Sequence, residues 1–207
     1  MGRGSKMTED LFEFAARRAE PEPAPKPDPA QATMQFLLSL RERGIANLAV
    51  LRAMETLPRE QFVPHRHADL AWRDIALPIA CGQTMPEPFL VARMVESLNL
   101  LGAHRVLEIG TGSGYMAALA AHQAASVLSL EIDSNLAQQA RANLQAAGIA
   151  NVEVRNTDGC QGAPADGPFD VIFLSGSVPE VPQALLQQLK TGGRLRSEEH
   201  TSELQSH

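Results

Sequence analysis

The segment Val106–Tyr115, V-L-E-I-G-T-G-S-G-Y, constrains the fold of this chain more than any other feature. The mostly apolar residues 106–109 predict a buried parallel strand, and the alanine-rich run after Tyr115 predicts a helix. Three glycines lie between them. Because glycine has no side chain, such a turn lets backbone N–H groups and a helix N-terminus approach a ligand. We therefore predict a ligand-binding turn between a strand and a helix.

Strand and helix patterns alternate through the second half of the chain. The predicted strands are 104–110, 126–132, 152–158 and 169–175, and the predicted helices are 114–124, 134–147 and 182–190. This alternation indicates an α/β fold with a doubly wound, mostly parallel sheet and right-handed crossovers. Ligands bind at the carboxyl ends of the strands in such sheets, near the point where the strand order reverses.

The first half of the chain has a different organisation. Alternating prolines predict that residues 1–32 form a disordered Pro-rich tail. From Thr33, which we expect to cap a helix, the apolar spacing predicts three helices that make 33–100 an N-terminal helical cap. Residues 101–195 then form the α/β domain.

Composition narrows the class of partner and the compartment. The net charge is −6 and there is no Lys/Arg cluster, which argues against nucleic acid. Cys81 and Cys160 stand far apart, as in a reducing compartment. The chain shows neither a signal peptide nor an apolar run of membrane-spanning length, so we expect a cytoplasmic protein. His65 and His67 lack further ligands at metal-binding spacing, and we predict no metal site.

The glycine spacing suggests the ligand. G-x-G-x-G differs from the G-x-G-x-x-G of dinucleotide enzymes and favours S-adenosylmethionine over NAD, although an ordinary tight turn is the alternative. The predicted cofactor-binding residues of this segment are Glu108, Gly110, Thr111, Gly112, Ser113 and Gly114.

Acidic residues stand at the carboxyl ends of the next two predicted strands. Glu131 stands about 20 residues after Gly110, where an acid that binds ribose hydroxyls is expected, although an acid at a helix start is the alternative. Asp133 and Ser134 are predicted to cap the next helix. Asp158 and Gly159 are predicted to contact the adenine, and a simple Asp-Gly turn is the alternative. The segment 174–179 is expected to shape the acceptor pocket.

These motifs together resemble the protein-L-isoaspartate O-methyltransferase family. The resemblance covers roughly residues 37–195. Its most specific parts are P-R-E-Q-F-V-P at 58–64 and L-P-I-A-C-G-Q-T at 77–84, because the glycine motif alone occurs in many methyltransferases. The family implies a Rossmann-like methyltransferase fold and S-adenosylmethionine as the cofactor. It also implies methyl transfer to the carboxyl of isoaspartyl residues in damaged proteins, by an enzyme that we expect to be monomeric.

One departure from the family concerns the acceptor. Family members read Q-T-I-S-Q-P, where the serine is thought to hold the acceptor carboxylate, and here the stretch is Q-T-M-P-E-P. Pro86 occupies the serine position and has neither a hydroxyl nor an N–H. Glu87 would repel an anionic acceptor if it pointed inward. Thr84 is therefore the predicted replacement, and a different acceptor or a cofactor-binding module without turnover are the alternatives.

A second departure concerns the end of the chain. After Leu195 the sequence is R-S-E-E-H-T-S-E-L-Q-S-H, with charge where a buried strand belongs. It resembles the translation of a sequencing adapter, so we interpret 196–207 as a non-native tail. We accordingly expect the C-terminal strands to be missing, the strand at 169–175 to have an open edge, and the chain to be marginally stable.

Overall fold

A computed structural model provides the structure of the chain and describes residues 29–176, 180–197 and 204–205. Most of the predicted Pro-rich tail and most of 196–207 lie outside the described residues. The helices are α1 (Pro29–Glu42), α2 (Leu48–Thr56), α3 (Pro88–Leu98), α4 (Tyr115–Ala121), α5 (Ser134–Ala146) and α6 (Gln183–Leu186). The strands are β1 (Leu77–Pro78), β2 (Thr84–Met85), β3 (Arg105–Ile109), β4 (Ser126–Glu131), β5 (Val152–Asn156), β6 (Phe169–Leu174), β7 (Leu189–Ser197) and β8 (Leu204–Gln205).

The main sheet has the predicted doubly wound topology. Its strand order is β5-β4-β3-β6-β7-β8, and the first five strands are parallel while β8 pairs antiparallel with β7. The order reverses between β3 and β6, where Leu107 is aligned with Leu128 on one side and Ile172 on the other. The carboxyl ends of these two strands therefore mark the expected ligand-binding edge.

Two apolar cores lie on the two faces of the sheet. Successive residues of a strand point to opposite faces, so β3, β4 and β6 contribute side chains to both cores. Val106 and Val171 face a large core that contains the buried sides of α1–α5. Leu107 and Ile172 face a smaller core, which α6 and the β5–β6 connection cover. The larger core thus joins the N-terminal helices to the sheet and brings residues 77–86 close to its ligand-binding edge.

Most helix predictions agree with the structure to within a few residues, but the first one does not. α1 begins at Pro29, so Thr33 lies inside the helix and does not cap it. Proline is favoured in the first turn of a helix, where its missing N–H has no intrahelical acceptor. None of the described helices is long and apolar enough to cross a membrane.

The expected absence of a fifth strand is wrong. β7 pairs with β6 from Leu189 to Ser197, so β6 has no open edge and the strand extends past the predicted boundary at Leu195. The helix predicted for 182–190 is correspondingly short, because α6 ends at Leu186. Beyond it, β8 pairs with Arg194 and Leu195.

The composition of β7 explains the error. An internal parallel strand was expected to be continuously apolar, whereas β7 alternates buried Leu195 with partly exposed Arg194 and Arg196. Arg194 also donates to the carbonyl oxygens of Leu98 and Asn99 at the end of α3, where a cation is favourable. The strand therefore places its charges at the surface.

Candidate functional site

The glycine turn connects β3 to α4 in the predicted way. Gly110, Gly112 and Gly114 have φ values of +91°, +55° and +87°, in the region that side chains disfavour. The packing at Gly114 is also tight, because a Cβ atom would lie 3.3 Å from Cβ of Ala140 in α5. The turn therefore requires glycine for its conformation, and at Gly114 the packing favours glycine too.

Glu131 ties this turn to the next strand. It lies at the end of β4 and is 5% exposed. Its Oε2 accepts from the Gly112 N–H at 2.8 Å, and its Oε1 accepts from the Asp133 N–H at 3.0 Å. A carboxylate oxygen can accept more than one hydrogen bond, so both oxygens retain capacity for ligand hydroxyls. The predicted cap also forms, since Asp133 accepts from the N–H groups of Asn135 and Leu136.

Glu108 lies behind the glycine turn and is completely buried. Its two oxygens accept from the hydroxyls of Ser129 in β4 and Ser175 after β6, the latter at 3.0 Å. The Ser129 hydroxyl also forms a hydrogen bond with that of Thr111. Burial raises the pKa of Glu108 to about 8, although both serine hydrogen bonds oppose the shift. This buried network joins β3, β4, the glycine turn and the segment after β6.

Asp158 and Gly159 follow β5. Asp158 accepts from the Cys160 N–H at 2.9 Å, and this bond lowers the pKa of the exposed carboxyl. At Gly159, a Cβ atom would lie only 2.6 Å from Cγ2 of Ile109 at the end of β3. The close approach brings the loop after β5 against the strand that carries the glycine turn, at the same edge of the sheet as Glu131.

A single cavity joins the glycine turn to the N-terminal region. Gly110–Ser113, Met116 and Ser175 line one side of it. The other side comes from the N-terminal region and the apolar face of α3, with the residues Ile79, Thr84, Met85, Pro86, Leu90, Val91 and Met94. Thr84 and Pro86 thus lie across the cavity from the turn, whereas Glu87 is not among the lining residues.

The sequence does not predict the structural roles of three polar residues at the site. Ser129 interrupts the apolar strand V-L-S-L-E. A serine hydroxyl in a buried strand needs a buried hydrogen-bond partner, and this is the signal that could have identified it. Ser175 lies in the predicted pocket segment, but the sequence does not predict its hydrogen bond to Glu108. Residues 177–179 of that segment lie outside the described residues. Arg59 was seen only as part of a motif, and it is fully buried.

The residues at this edge fit an adenosyl cofactor. The glycine turn exposes backbone, Glu131 has acceptor capacity for ribose hydroxyls, and Asp158 and Gly159 lie where an adenine would extend past β5. The side of the cavity that the N-terminal region and α3 form is predominantly apolar. It suits the aliphatic chain of the cofactor that carries the methyl group. Within the described residues, no three His, Cys, Asp or Glu side chains group as metal ligands.

Comparisons with known proteins agree on one family. Residues 31–198 match the family model described as Protein-L-isoaspartate(D-aspartate) O-methyltransferase. Protein-L-isoaspartate O-methyltransferase 2 of Rhodopseudomonas palustris (strain HaA2) is 50% identical over 81% of this chain and 77% of its own length. Protein-L-isoaspartate O-methyltransferase of Xanthobacter autotrophicus is 49% identical over 77% of this chain and 73% of its own length.

A solved structure gives the same result. The structure titled protein-L-isoaspartate O-methyltransferase superimposes with a TM-score of 0.71 at 32% identity. The match covers 79% of this chain and 54% of that one, so this chain spans about half the length of that relative.

Proposed function

Because the chain belongs to the protein-L-isoaspartate O-methyltransferase family, we propose that it methylates the carboxyl group of isoaspartyl residues in damaged proteins, with S-adenosylmethionine as the methyl donor. The observation that carries this proposal is the single cavity with the glycine turn on one side and Thr84 and Pro86 on the other. A donor bound by the turn and an acceptor bound at Thr84 would meet in this cavity.

The cofactor half of the site uses three groups of residues. The turn residues Gly110–Gly114 present backbone to the cofactor, Glu131 accepts from the ribose hydroxyls, and Asp158 and Gly159 bound the adenine. When bound, S-adenosylmethionine supplies an electrophilic methyl group on its sulfonium sulfur. Glu108 supports the turn from behind, because Ser129 and Ser175 occupy both of its oxygens.

The acceptor half has to position a nucleophile and does not have to activate one. A carboxyl group is ionised near neutral pH, so the reaction needs no general base. Positioning the carboxylate in line with the methyl group is therefore the main contribution of the protein. Thr84 lines the cavity and carries a hydroxyl that can donate to the carboxylate, whereas Pro86 can donate nothing. Met85, Leu90 and Met94 form an apolar wall that keeps water from the reacting atoms.

Pro86 also supports a second candidate, a methyltransferase with a different carboxylate acceptor. Without the serine hydroxyl, the acceptor site lacks the donor that the family uses, and Glu87 is not among the residues that line the cavity. Loss of turnover with retained cofactor binding is the remaining alternative. The cytoplasmic location and the monomeric state stay predictions.

Methyl transfer to a matched pair of peptides tests the proposal. The full chain is incubated with methyl-labelled S-adenosylmethionine and a peptide that contains either isoaspartate or normal aspartate at one position. Labelling of the isoaspartyl peptide alone is the expected result. Absence of labelling in a protein that binds S-adenosylhomocysteine would favour another acceptor, and Pro86→Ser then shows whether a restored hydroxyl recovers activity.

A further inference from the structure

A buried guanidinium group lies behind the acceptor side of the cavity. Arg59 is in the short 3-10 helix Arg59–Phe62 and has no exposed surface. Its Nη1 donates to the carbonyl oxygen of Ala71, and its Nη2 donates to the carbonyl oxygen of Pro86 at 2.9 Å. One side chain therefore joins three segments of the N-terminal region, including the residue at the family's serine position.

Within the described residues, Arg59 has no ion-pair partner to explain its burial. Among the residues that the structure describes, none of the ion pairs includes it. Burial lowers the pKa of its guanidinium group, while Tyr115, Asp74 and Glu87 act in the opposite direction, and arginine stays charged throughout. A buried charge that is held only by carbonyl oxygens is costly, so stability alone does not account for it.

The surroundings of Arg59 contain further unsatisfied polar atoms. Its Nε is buried without a hydrogen-bond partner, and so are Oε2 of Glu60 and the hydroxyl of Tyr115. The guanidinium carbon lies 5.8 Å from the centroid of the Tyr115 ring. Buried unsatisfied groups are rare in folded proteins and often mark functional positions. Three of the four such atoms found in the described residues belong to Arg59, its neighbour in sequence Glu60, and Tyr115.

Arg59 contacts the cavity wall from behind at two places. Pro86, which accepts its hydrogen bond, and Tyr115, which lies below its charge, both line the cavity. Pro86 belongs to the acceptor side, and Tyr115 is the first residue of α4, directly after the glycine turn. The guanidinium group therefore links the position of the acceptor loop to the end of the cofactor turn.

We propose that Arg59 is a positioning residue for the acceptor: by holding the Pro86 carbonyl, it fixes the acceptor loop Thr84–Pro86 at the correct distance from the glycine turn. This inference rests on the proposed function. It accounts for a catalytic loop that lacks the serine hydroxyl, since the loop's position is set by a backbone contact that proline retains.

Two variants of the full chain test this role. Arg59→Met removes the charge and all donors at similar length, and Arg59→Lys keeps the charge but replaces the two donating nitrogens of the planar guanidinium with one ammonium nitrogen. We expect KM for the isoaspartyl peptide to rise by roughly 20-fold in Arg59→Met and roughly 5-fold in Arg59→Lys, with kcat changed less than about 3-fold. The Kd for S-adenosylhomocysteine should stay within about 2-fold, because no cofactor-binding residue is altered.

A matched control separates positioning from general destabilisation. Leu40→Ala removes a buried side chain of α1 that does not line the cavity. It should lower the melting temperature and leave the peptide KM unchanged. If Arg59→Met fails to fold, Arg59→Lys decides alone.

Two results would overturn the inference. One is an unchanged peptide KM in folded Arg59→Lys, and another is a parallel loss of peptide and S-adenosylhomocysteine binding that follows the melting temperature. Absence of transfer by the unaltered chain is different, because it contradicts the proposed function itself and with it the role of Arg59 toward this acceptor.

Discussion

Glu108 makes the stability of the molecule depend on pH. Its pKa is about 8 in the folded protein because the carboxyl group is buried, whereas an exposed glutamate titrates near 4.5. Between these values the unfolded chain has lost its proton and the folded protein has kept it. The contribution of Glu108 to stability is therefore fully present below pH 4.5 and is lost as the pH rises through about 8.

Replacing Glu108 with glutamine should remove this dependence. We expect the free energy of unfolding of the unaltered chain to fall by a few kcal/mol between pH 5 and pH 8, relative to that of Glu108→Gln. Denaturant unfolding of both proteins at several pH values measures the difference. Parallel curves for the two proteins would show that Glu108 titrates normally.

Glu131 should matter for both the cofactor and the turn. In Glu131→Gln the amide NH2 would face the N–H of Gly112 or Asp133, which leaves a buried donor unsatisfied and costs about 1–3 kcal/mol. We expect the Kd for S-adenosylhomocysteine to rise on the order of 10-fold or more, measured by calorimetry. Glu153→Gln, on exposed Glu153 of β5, is the control and should leave the Kd unchanged. An unaltered Kd in Glu131→Gln would contradict the ribose assignment.

The sequence predicted those site residues that belong to a local pattern. The glycines directly follow β3 and Glu131 is the last residue of β4, so their place at the carboxyl edge of the sheet could be inferred from the chain order. The partners of Glu108 could not, because Ser129 and Ser175 become its neighbours only when β4 and β6 align on either side of β3. The same applies to Arg59, which reaches Pro86 across 27 residues.

At the scale of elements, β7 gives the sharpest test of the fold. Leu195 is 1% exposed and is aligned with Ile172 of β6. We expect Leu195→Ala to lower the free energy of unfolding by about 2–4 kcal/mol, as large-to-small core substitutions do. Denaturant titration provides the measurement. Leu101→Ala, at a side chain that is 59% exposed, should cost less than about 0.5 kcal/mol.

The outcome would decide whether the last strand forms in solution. If β7 were absent, Leu195 would be exposed and its replacement would change little. The expectation of marginal stability rested on an open edge at β6, and β7 pairs with that edge.

The central strands were predictable because continuous apolar runs mark strands that are buried on both faces. β7 was not, because its charged residues lie at the surface and its glycines interrupt the run.

At the scale of the whole molecule, ligand binding should increase the free energy of unfolding. A ligand that binds only the folded state stabilises it by about 2.7 kcal/mol at a concentration of 100 times its Kd. S-adenosylhomocysteine should therefore raise the melting temperature of the chain, whereas NAD at the same concentration should not. A shift with NAD and none with S-adenosylhomocysteine would reverse the cofactor prediction.

The position of β3 in the sheet also determines when the protein can fold during synthesis. β3 is the first strand of the main sheet to leave the ribosome, yet one of its two neighbours is β6, which ends at Leu174. Until that residue emerges, one edge of β3 is unpaired and Glu108 lacks its contact with Ser175. A nascent chain released early would consequently expose a hydrophobic strand edge. Such an edge can pair with other chains and aggregate unless a chaperone binds it. The central location that protects this strand in the folded enzyme thus makes it dependent on a strand that is translated later.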